Sequence, residues 1–394
     1  MIIGIDASRA FGTEKTGVEK YSRELLEGLI KRKHDFLGHK VVVFVRGKVK
    51  GPSLPKGWKY SQVDRGVLWT QAGLFLGILR EKIDVLLAPS HALPILAGFL
   101  GRVRMIYVLH GMEMWQKPQC YPFLERLKDK FLIRASIRVA NEVIAVSKNT
   151  KEQAVKFLKA RPDKIRVIYQ GVSLRDRREM TEDRVQKVLA LYGIKRPYII
   201  YLGRLEARKN VAKLARAFDE FKKFVFYEAG RPAGKFGDLQ LVLAGSQGFK
   251  YKAIQKEIKR ADCATDIIET GYVKEEDKAI LIGQARALIM VSLAEGFGRT
   301  VLEARRLGVP VLVSRIGVFE ELWQGFEGVV FCDPGSARKI KRGIKKVLEL
   351  GAGEDDRRKR VQKQREKLKE FDREKAVELI IEEIKRGFRI KNFS

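Results

Sequence analysis

Short apolar runs alternate along this chain with longer stretches in which apolar positions recur at helical spacing. In the first half the apolar runs are Met1–Asp6, Lys40–Val45, Asp84–Ala88, Arg104–Leu109, Glu142–Val146 and Lys164–Ile168. Each is short and bounded by turn residues, and each is read as a strand. Helical spacing covers Val18–Arg32, Leu68–Lys82, Pro122–Ala140 and Asn149–Leu158. Near-continuous apolar strands separated by helices predict parallel βαβ units, with helices covering both faces of the sheet.

The alternation lapses from Ser173 to Arg196, a charged stretch with one helical segment at Asp183–Tyr192, and restarts after Pro197. The second half predicts strands at Tyr198–Gly203, Leu239–Ala244, Asp266–Thr270, Ala287–Val291, Val309–Ser314 and Gly328–Phe331. Helices fit Val211–Phe226, Tyr251–Ala261, Lys274–Ala285, Thr300–Arg306, Phe319–Gln324 and Ser336–Leu350. The expected organisation is a Rossmann-like domain over 1–175, a linker over 176–196 and a second Rossmann-like domain over 197–352. Residues 353–394 are expected to form helices that pack back toward the first domain, with an apolar stripe at Leu379, Ile380 and Ile384. The fold class is therefore α/β, with two doubly wound domains facing across a cleft. Ligands of such sheets bind in the crevice outside the strand C-termini.

Composition agrees with that picture. A chain of 394 residues exceeds one ordinary core, and 45% hydrophobic with 32% charged residues suits a globular protein. Cys120, Cys263 and Cys332 form no Cys-x-x-Cys pair, so they are read as reduced thiols of a cytoplasmic protein. The four histidines show no paired spacing, which argues against a zinc site. The first residues lack the basic start and apolar core of a signal peptide. No run reaches the ~18 apolar residues of a membrane span; the nearest approach, Val67–Leu79, is broken by Thr70 and Gln71.

Candidate chemistry sits at strand ends. The sharpest segment is Glu295-Gly296-Phe297-Gly298-Arg299-Thr300-Val301-Leu302-Glu303, between a strand and a helix. Its glycines permit a tight turn and close approach to a ligand, and the helix start offers N–H groups to an anion. Glu295 and Glu303 suit a hydroxyl-rich ligand, although an ordinary turn with two surface acids has the same pattern. A second strand–loop–helix junction, Gly203-Arg204-Leu205-Glu206-Ala207-Arg208-Lys209-Asn210, offers Arg204 and Lys209 to a diphosphate. With 79 Lys and Arg in the chain, any single cation carries little weight, and position carries the argument. In the first half, Thr16 and Gly17 precede a helix and can cradle an anion or merely cap it. His110 and Ser147 each follow a strand; a structural histidine and a helix-capping serine are the competing explanations.

These segments together resemble glycosyltransferase family 4, the retaining transferases of the GT-B fold. The resemblance rests on Glu295-x7-Glu303, on Gly203-Arg204-Leu205 with Lys209-Asn210, and on Thr270-Gly271-Tyr272-Val273 and Leu307-Gly308-Val309-Pro310-Val311. Thr16-Gly17-Val18-Glu19-Lys20-Tyr21 and Ala88-Pro89-Ser90-His91-Ala92-Leu93-Pro94 look like the mannosyltransferase-like branch. The resemblance implies an acceptor domain followed by a nucleotide-sugar domain. It implies that Arg204 and Lys209 hold the donor diphosphate, that Glu303 binds the ribose, and that Gly271, Tyr272 and Val273 line the base. It further implies that Glu295 with Gly296, Phe297 and Gly298 orients the donor sugar, that Gly17 closes on the diphosphate and that His110 lies near the reacting carbon. Ser147 and His91 are the acceptor-side candidates. Catalysis would then be positioning and electrostatic stabilisation, with no cofactor and no metal required. Arg299-Thr300 stands where many members carry Leu-Pro, and Tyr169-Gln170-Gly171-Val172-Ser173 replaces the frequent Pro-Asn-Gly-Val-Asp. Donor choice is therefore expected to be read at Arg299.

The implied partners are a GDP- or UDP-sugar donor and a glycan or lipid-linked acceptor of surface polysaccharide or glycolipid synthesis. The charge of +31 admits three readings: attraction to an anionic membrane surface, nucleic-acid binding, or a basic proteome without a partner. Residues 123–134, with basic and apolar positions interleaved on one predicted helix, support the membrane reading, which stands level with the basic-proteome one; the expected location is the cytoplasm, at the inner face of the cell membrane if the membrane reading holds. No RNA-binding motif or aromatic stacking platform supports nucleic acid. A GT-B sugar-nucleotide epimerase is the rival enzyme, and the two signatures above belong to transferases.

Overall fold

A computed structural model describes residues 1–12, 17–63, 69–89, 92–172, 181–195, 197–229, 236–351 and 353–390. The chain divides into two compact units: Met1–Met112, Phe123–Ser173 and Glu370–Ser394 form the first, and Glu113–Pro122 with Leu174–Lys369 form the second.

The first unit contains β1 (Ile2–Asp6), α1 (Gly17–Lys31), β2 (Lys40–Arg46), β3 (Trp58–Val63), α2 (Phe75–Glu81), β4 (Val85–Ala88), α3 (Ile95–Phe99) and β5 (Arg104–Leu109). After α4 (Glu113–Gln116), which belongs to the second unit, it resumes with α5 (Phe123–Val139), β6 (Glu142–Ala145), α6 (Lys148–Leu158) and β7 (Ile165–Val167). Its sheet is parallel throughout, in the order β3-β2-β1-β4-β5-β6-β7. The direction of winding reverses between β1 and β4, the switch point of a doubly wound sheet. Central strands are buried end to end: Val85–Ala88 and Met105–Leu109 are at most 1% exposed. Each such side chain taken from water contributes about 1.5–3 kcal/mol before chain entropy is counted. β3 was not expected. Three of its six residues, Lys59, Ser61 and Gln62, are polar, because an edge strand is paired only to β2 and buries only Trp58, Ser61 and Val63 fully.

The second unit opens with α7 (Glu182–Leu191) and runs through β8 (Tyr198–Leu202), α8 (Val211–Ala229), β9 (Gln240–Ala244), α9 (Tyr251–Arg260), β10 (Ile267–Gly271) and α10 (Glu275–Gln284). It continues with β11 (Ala287–Met290), α11 (Arg299–Arg306), β12 (Val311–Ser314), α12 (Gly317–Trp323), β13 (Val329–Cys332), α13 (Ala337–Glu349) and α14 (Glu354–Leu368). The six strands are parallel in the order β10-β9-β8-β11-β12-β13, which repeats the winding of the first unit with a switch point between β8 and β11.

Three boundaries differ from the expected ones. The stretch read as a linker carries α7, held to the second unit by Tyr192 Oη donating to Asp277 at 2.9 Å. The C-terminal helices do not stay together. α14 belongs to the second unit, where Arg357 donates to the carbonyls of Gly283 and Ala285 at the end of α10, and Arg360 to that of Gly308. Fully buried Arg305 joins this seam, donating to Val309 O and to Gln364 of α14. The following helix, α15 (Arg373–Ile390), packs on the first unit. A Cβ on Gly28 of α1 would stand 2.5 Å from Val377, and Arg104 donates to the carbonyls of Glu383 and Ile384. Finally, Glu113–Pro122 follows β5 in the chain but groups with the second unit.

Candidate functional site

The second unit's switch point is built by the loops that leave β8 and β11. After β8 the backbone is laced to the loop after β9: Leu205 N donates to Ser246 O and Gly248 N to Leu205 O, each at 2.9 Å. A Cβ on Gly245 would come within 2.0 Å of Gly203 O, so only glycine permits this approach. The loop closes in a 3₁₀ turn at Ala207–Lys209 and then a left-handed residue, Asn210, with φ of 60°. The Asn210 amide donates to Val291 O at 3.1 Å and Pro334 O at 2.9 Å, while Leu293 N donates to Arg208 O at 2.8 Å. The two loops are thereby one rigid piece.

Glu295 lies within it, 7% exposed. Lys209 Nζ is 2.5 Å from its Oε1 and Arg208 Nη1 is 3.2 Å from its Oε2. Burial pushes the Glu295 carboxyl up, but Lys209, Arg208 and hydrogen bonds from Lys209 and Ser292 outweigh it and hold the group at about 2. Arg208 also donates to Ala294 O at 2.9 Å and to Glu206 at 2.8 Å, and stands 3.9 Å from Glu113. Burial pulls its guanidinium down, and Glu295, Tyr121, Glu113 and Glu206 more than restore it, so the charge is fixed. Burial conversely raises the Glu113 carboxyl against the pull of Arg208.

Next along the chain, Gly296 is buried and Phe297, 3% exposed, anchors the turn. Gly298 starts α11 at a φ of 89°, and a Cβ there would stand 2.5 Å from the Phe319 ring. Arg299 is 9% exposed on the first turn of α11, and Glu303 is half-buried one turn later. Arg204 is exposed, and no side-chain hydrogen bond or ion pair holds its guanidinium among the described residues. Gly271 and Tyr272 are exposed at the end of β10, whereas Val273 is 2% exposed.

The other expected residues lie in the first unit. His110 follows β5 with Nε2 donating to Pro89 O at 2.9 Å, its ring edge-to-face with Tyr21, and Gln170 Nε2 3.2 Å from Nδ1. Those contacts correspond to the Nε2–H tautomer, an assignment made from the hydrogen bonds. They also give Gln170 a role: it orients the histidine. Gly17 opens α1, exposed, with open space where a Cβ would point. Ser147 is fully buried and caps α6, accepting from Thr150 N at 3.1 Å; its hydroxyl does not face solvent. Thr16 and His91 lie outside the described residues.

Sequence reasoning chose Arg204 and Lys209 and passed over Arg208, which stands between them in the chain. Among 79 cations its only distinguishing mark is burial against four acceptors, and that exists only in the folded unit.

Residues 189–384 match the family model of glycosyl transferases group 1, and residues 15–176 that of glycosyltransferase family 4. The chain belongs to the family 4, group 1 glycosyltransferases. It has the α/β, two-domain GT-B fold. Among curated members of the family, O-antigen chain mannosyltransferase B of Escherichia coli is 26% identical over 248 residues, covering 62% of this chain and 61% of that protein. O-antigen chain mannosyltransferase RfbU of Salmonella typhimurium is 24% identical over 236 residues, covering 59% of each. The chain thus spans about three fifths of the length of these two transferases. Among solved structures, Anabaena HepE in complex with UDP and glucose superposes with a TM-score of 0.72 at 17% identity, over 98% of this chain and all of that one. WaaG, a glycosyltransferase involved in lipopolysaccharide biosynthesis, gives 0.68 at 14%, over 97% and 98%. At these identities the likeness is one of fold.

Proposed function

We propose that this glycosyltransferase retains configuration and moves a hexose, mannose first among candidates, from a nucleotide-diphosphate sugar to a glycan or lipid-linked acceptor at a membrane surface. The observation that carries the reading is the pair of loops at the β8/β11 switch point, which bear the Lys209–Glu295 ion pair and Arg204, exposed and, among the described residues, without a side-chain hydrogen bond or ion pair. Exposed Arg204 and the first turn of α11 suit a diphosphate, as fork and as N–H donors. Half-buried Glu303 suits ribose hydroxyls, and exposed Gly271–Tyr272 a base. Lys209, already on Glu295, supplies positive charge to the leaving group without reorganising. Mannose is favoured because two curated relatives carry mannosyltransferase names. A solved neighbour's complex with UDP-glucose leaves the uridine donors as the competing class.

The test is a donor screen by thermal unfolding, followed by product analysis. One class of sugar nucleotide should raise the melting temperature. Arg204→Ala and Glu303→Ala should each abolish the rise. A flat response to every GDP- and UDP-sugar would overturn the reading.

A further inference from the structure

The outer side of α13 carries a row of cations. Arg338, Lys341, Arg342 and Lys345 recur at spacings of three and four, which sets them along one stripe of the helix over about 10 Å. The opposite side is spent on the core, burying Ile340, Gly343, Ile344 and Val347, and a Cβ on Gly343 would stand 2.5 Å from Leu312. Between the stripe and α8 lies a cavity of about 310 Å³, lined by those four cations and by Phe221 and Phe224. No acid lines it among the described residues. Phe221, 1% exposed, forms its floor with half-buried Phe224. Lys341 Nζ stands 5.3 Å and Lys345 Nζ 4.8 Å from the Phe224 centroid, so the ring draws both ammonium groups to the groove.

Neighbouring cations have acceptors. On α8, Lys213 donates to Gly335 O, Arg216 pairs with Glu220 at 3.5 Å, Lys222 with Asp266 at 2.7 Å, and Lys223 with Asp219 and Asp262 at 2.7 and 3.0 Å. On α13 itself Lys339, off the stripe, reaches Asp333 at 2.9 Å. The side chains of Arg338, Lys341 and Arg342 have no hydrogen bond or ion pair among the described residues. Like charges gathered without a counter-charge repel, and an anion seated among them relieves that cost. Its class follows from the surroundings. No large exposed apolar side chain of the described residues belongs to α8 or α13, so nothing there enters a bilayer. Phe224 already carries two ammonium groups over its ring, so it is no stacking platform for the bases of a nucleic-acid strand. A single phosphate is too small to meet cations strung over about 10 Å.

We propose that the α8–α13 groove of the second unit binds a compact soluble polyphosphate, an ion or metabolite with two or more adjoining phosphate groups. Arg338 and Arg342 meet its oxygens as forks, and Lys341 and Lys345 act as point charges already held over Phe224. The groove is separate from the switch-point loops, since Phe221 and Phe224 lie about 15–20 Å along α8 from Asn210. It therefore goes beyond the function above and requires neither donor nor turnover.

The experiment is calorimetric titration of the full chain with inorganic tripolyphosphate at about 0.15 M salt, in an Arg204→Ala background that takes away the competing diphosphate site. This background should bind the probe. Adding Arg338→Gln with Arg342→Gln should weaken binding about tenfold or more, because two charge-assisted contacts are lost. Lys256→Gln with Lys346→Gln removes the same charge from exposed positions outside the lining and should change affinity by less than about threefold. Both pairs should melt as the background does, because these side chains are exposed. No binding overturns the proposal, and so does an equal loss from the two pairs, which would leave only general attraction to a basic chain. Tighter binding of a single-stranded oligonucleotide, lost with the same two arginines, would give the groove to nucleic acid instead. Competition by vesicles with about a third phosphatidylglycerol would give it to lipid headgroups. With Arg204 intact, Arg338→Gln with Arg342→Gln should leave the donor-induced rise in Tm unchanged. Loss of tripolyphosphate binding with that rise intact removes this proposal alone and leaves the sugar-nucleotide reading standing.

Discussion

Lys209 Nζ lies 2.5 Å from Glu295 Oε1, and this contact joins the loop after β8 to the loop after β11 across the second unit's switch point. Its partners are the basic residue of one family signature and the first glutamate of the other. The carboxylate therefore holds the cation in place. Arg208 on the other carboxylate oxygen makes the arrangement a three-membered ion cluster, nearly all of it out of solvent.

Removing the centre of that cluster should harm stability as well as chemistry. Glu295→Gln leaves Lys209 and Arg208 without their shared counter-charge, and breaking one partner of a buried pair costs about 3–5 kcal/mol. Chemical denaturation should register a loss of that order, and kcat/KM should fall by about two orders of magnitude or more. A variant that unfolds as the parent does would remove the cluster from the stability of the unit.

The two arginines of the loop should separate cleanly. Arg204→Ala, an exposed change, should shift stability by less than about 0.5 kcal/mol while erasing the donor-induced rise in Tm. Arg208→Lys keeps the charge but loses the fork that reaches Ala294 O, Glu206 and Glu295, so stability should drop by about 1–3 kcal/mol. Equal behaviour of the two variants would contradict the division drawn between them.

Acid should unlock the site in a defined window. Glu295 titrates at about 2 when folded against 4.5 unfolded, so its contribution is complete above pH 4.5 and lost as pH falls toward 2. The parent should lose stability on acidification through that range more steeply than Glu295→Gln, as followed by Tm across pH.

The docking of α15 should show the opposite sign. Burial, then hydrogen bonding and repulsion from Glu142, raise the Glu383 carboxyl from 4.5 to about 7, against Arg166 and Arg104. Its folded pKa is raised, so its contribution is complete below pH 4.5 and is lost as pH rises through 7. Glu383→Gln should flatten this fall and make the protein more stable than the parent at pH 8. An unaltered pH profile would exclude the Glu142–Glu383 contact as its source.

Gly298 should tolerate no side chain. At a φ of 89°, with a Cβ position 2.5 Å from the Phe319 ring, Gly298→Ala combines backbone strain with overpacking. Each effect is worth about 1–3 kcal/mol, and the sum should appear as a lower denaturation midpoint.

Several features were legible before folding because their causes are local. Buried parallel strands must be apolar end to end, so Val85–Ala88 and Ala287–Met290 announce themselves as short unbroken runs. The two signatures were legible because a strand C-terminus followed by glycine and a helix start is written in consecutive residues. β3 was not, since an edge strand paired on one side keeps polar positions such as Lys59 and Gln62.

The amino-acid sequence by itself determined two parallel α/β units, their strand ends and the loops that bear the site. Tertiary structure alone decided which cation of the loop is buried, because Arg208 differs from 78 other basic residues only by the acceptors that folding gathers around it. It also divided the C-terminal helices. α14 is almost wholly charged and docks through Arg357 and Arg360 on helix-end carbonyls that exist only once α10 and α11 have formed. Periodicity records which side of a helix is apolar. Whether that side meets a core or, as along Leu124–Phe131, is left facing outward depends on what folding has already placed there.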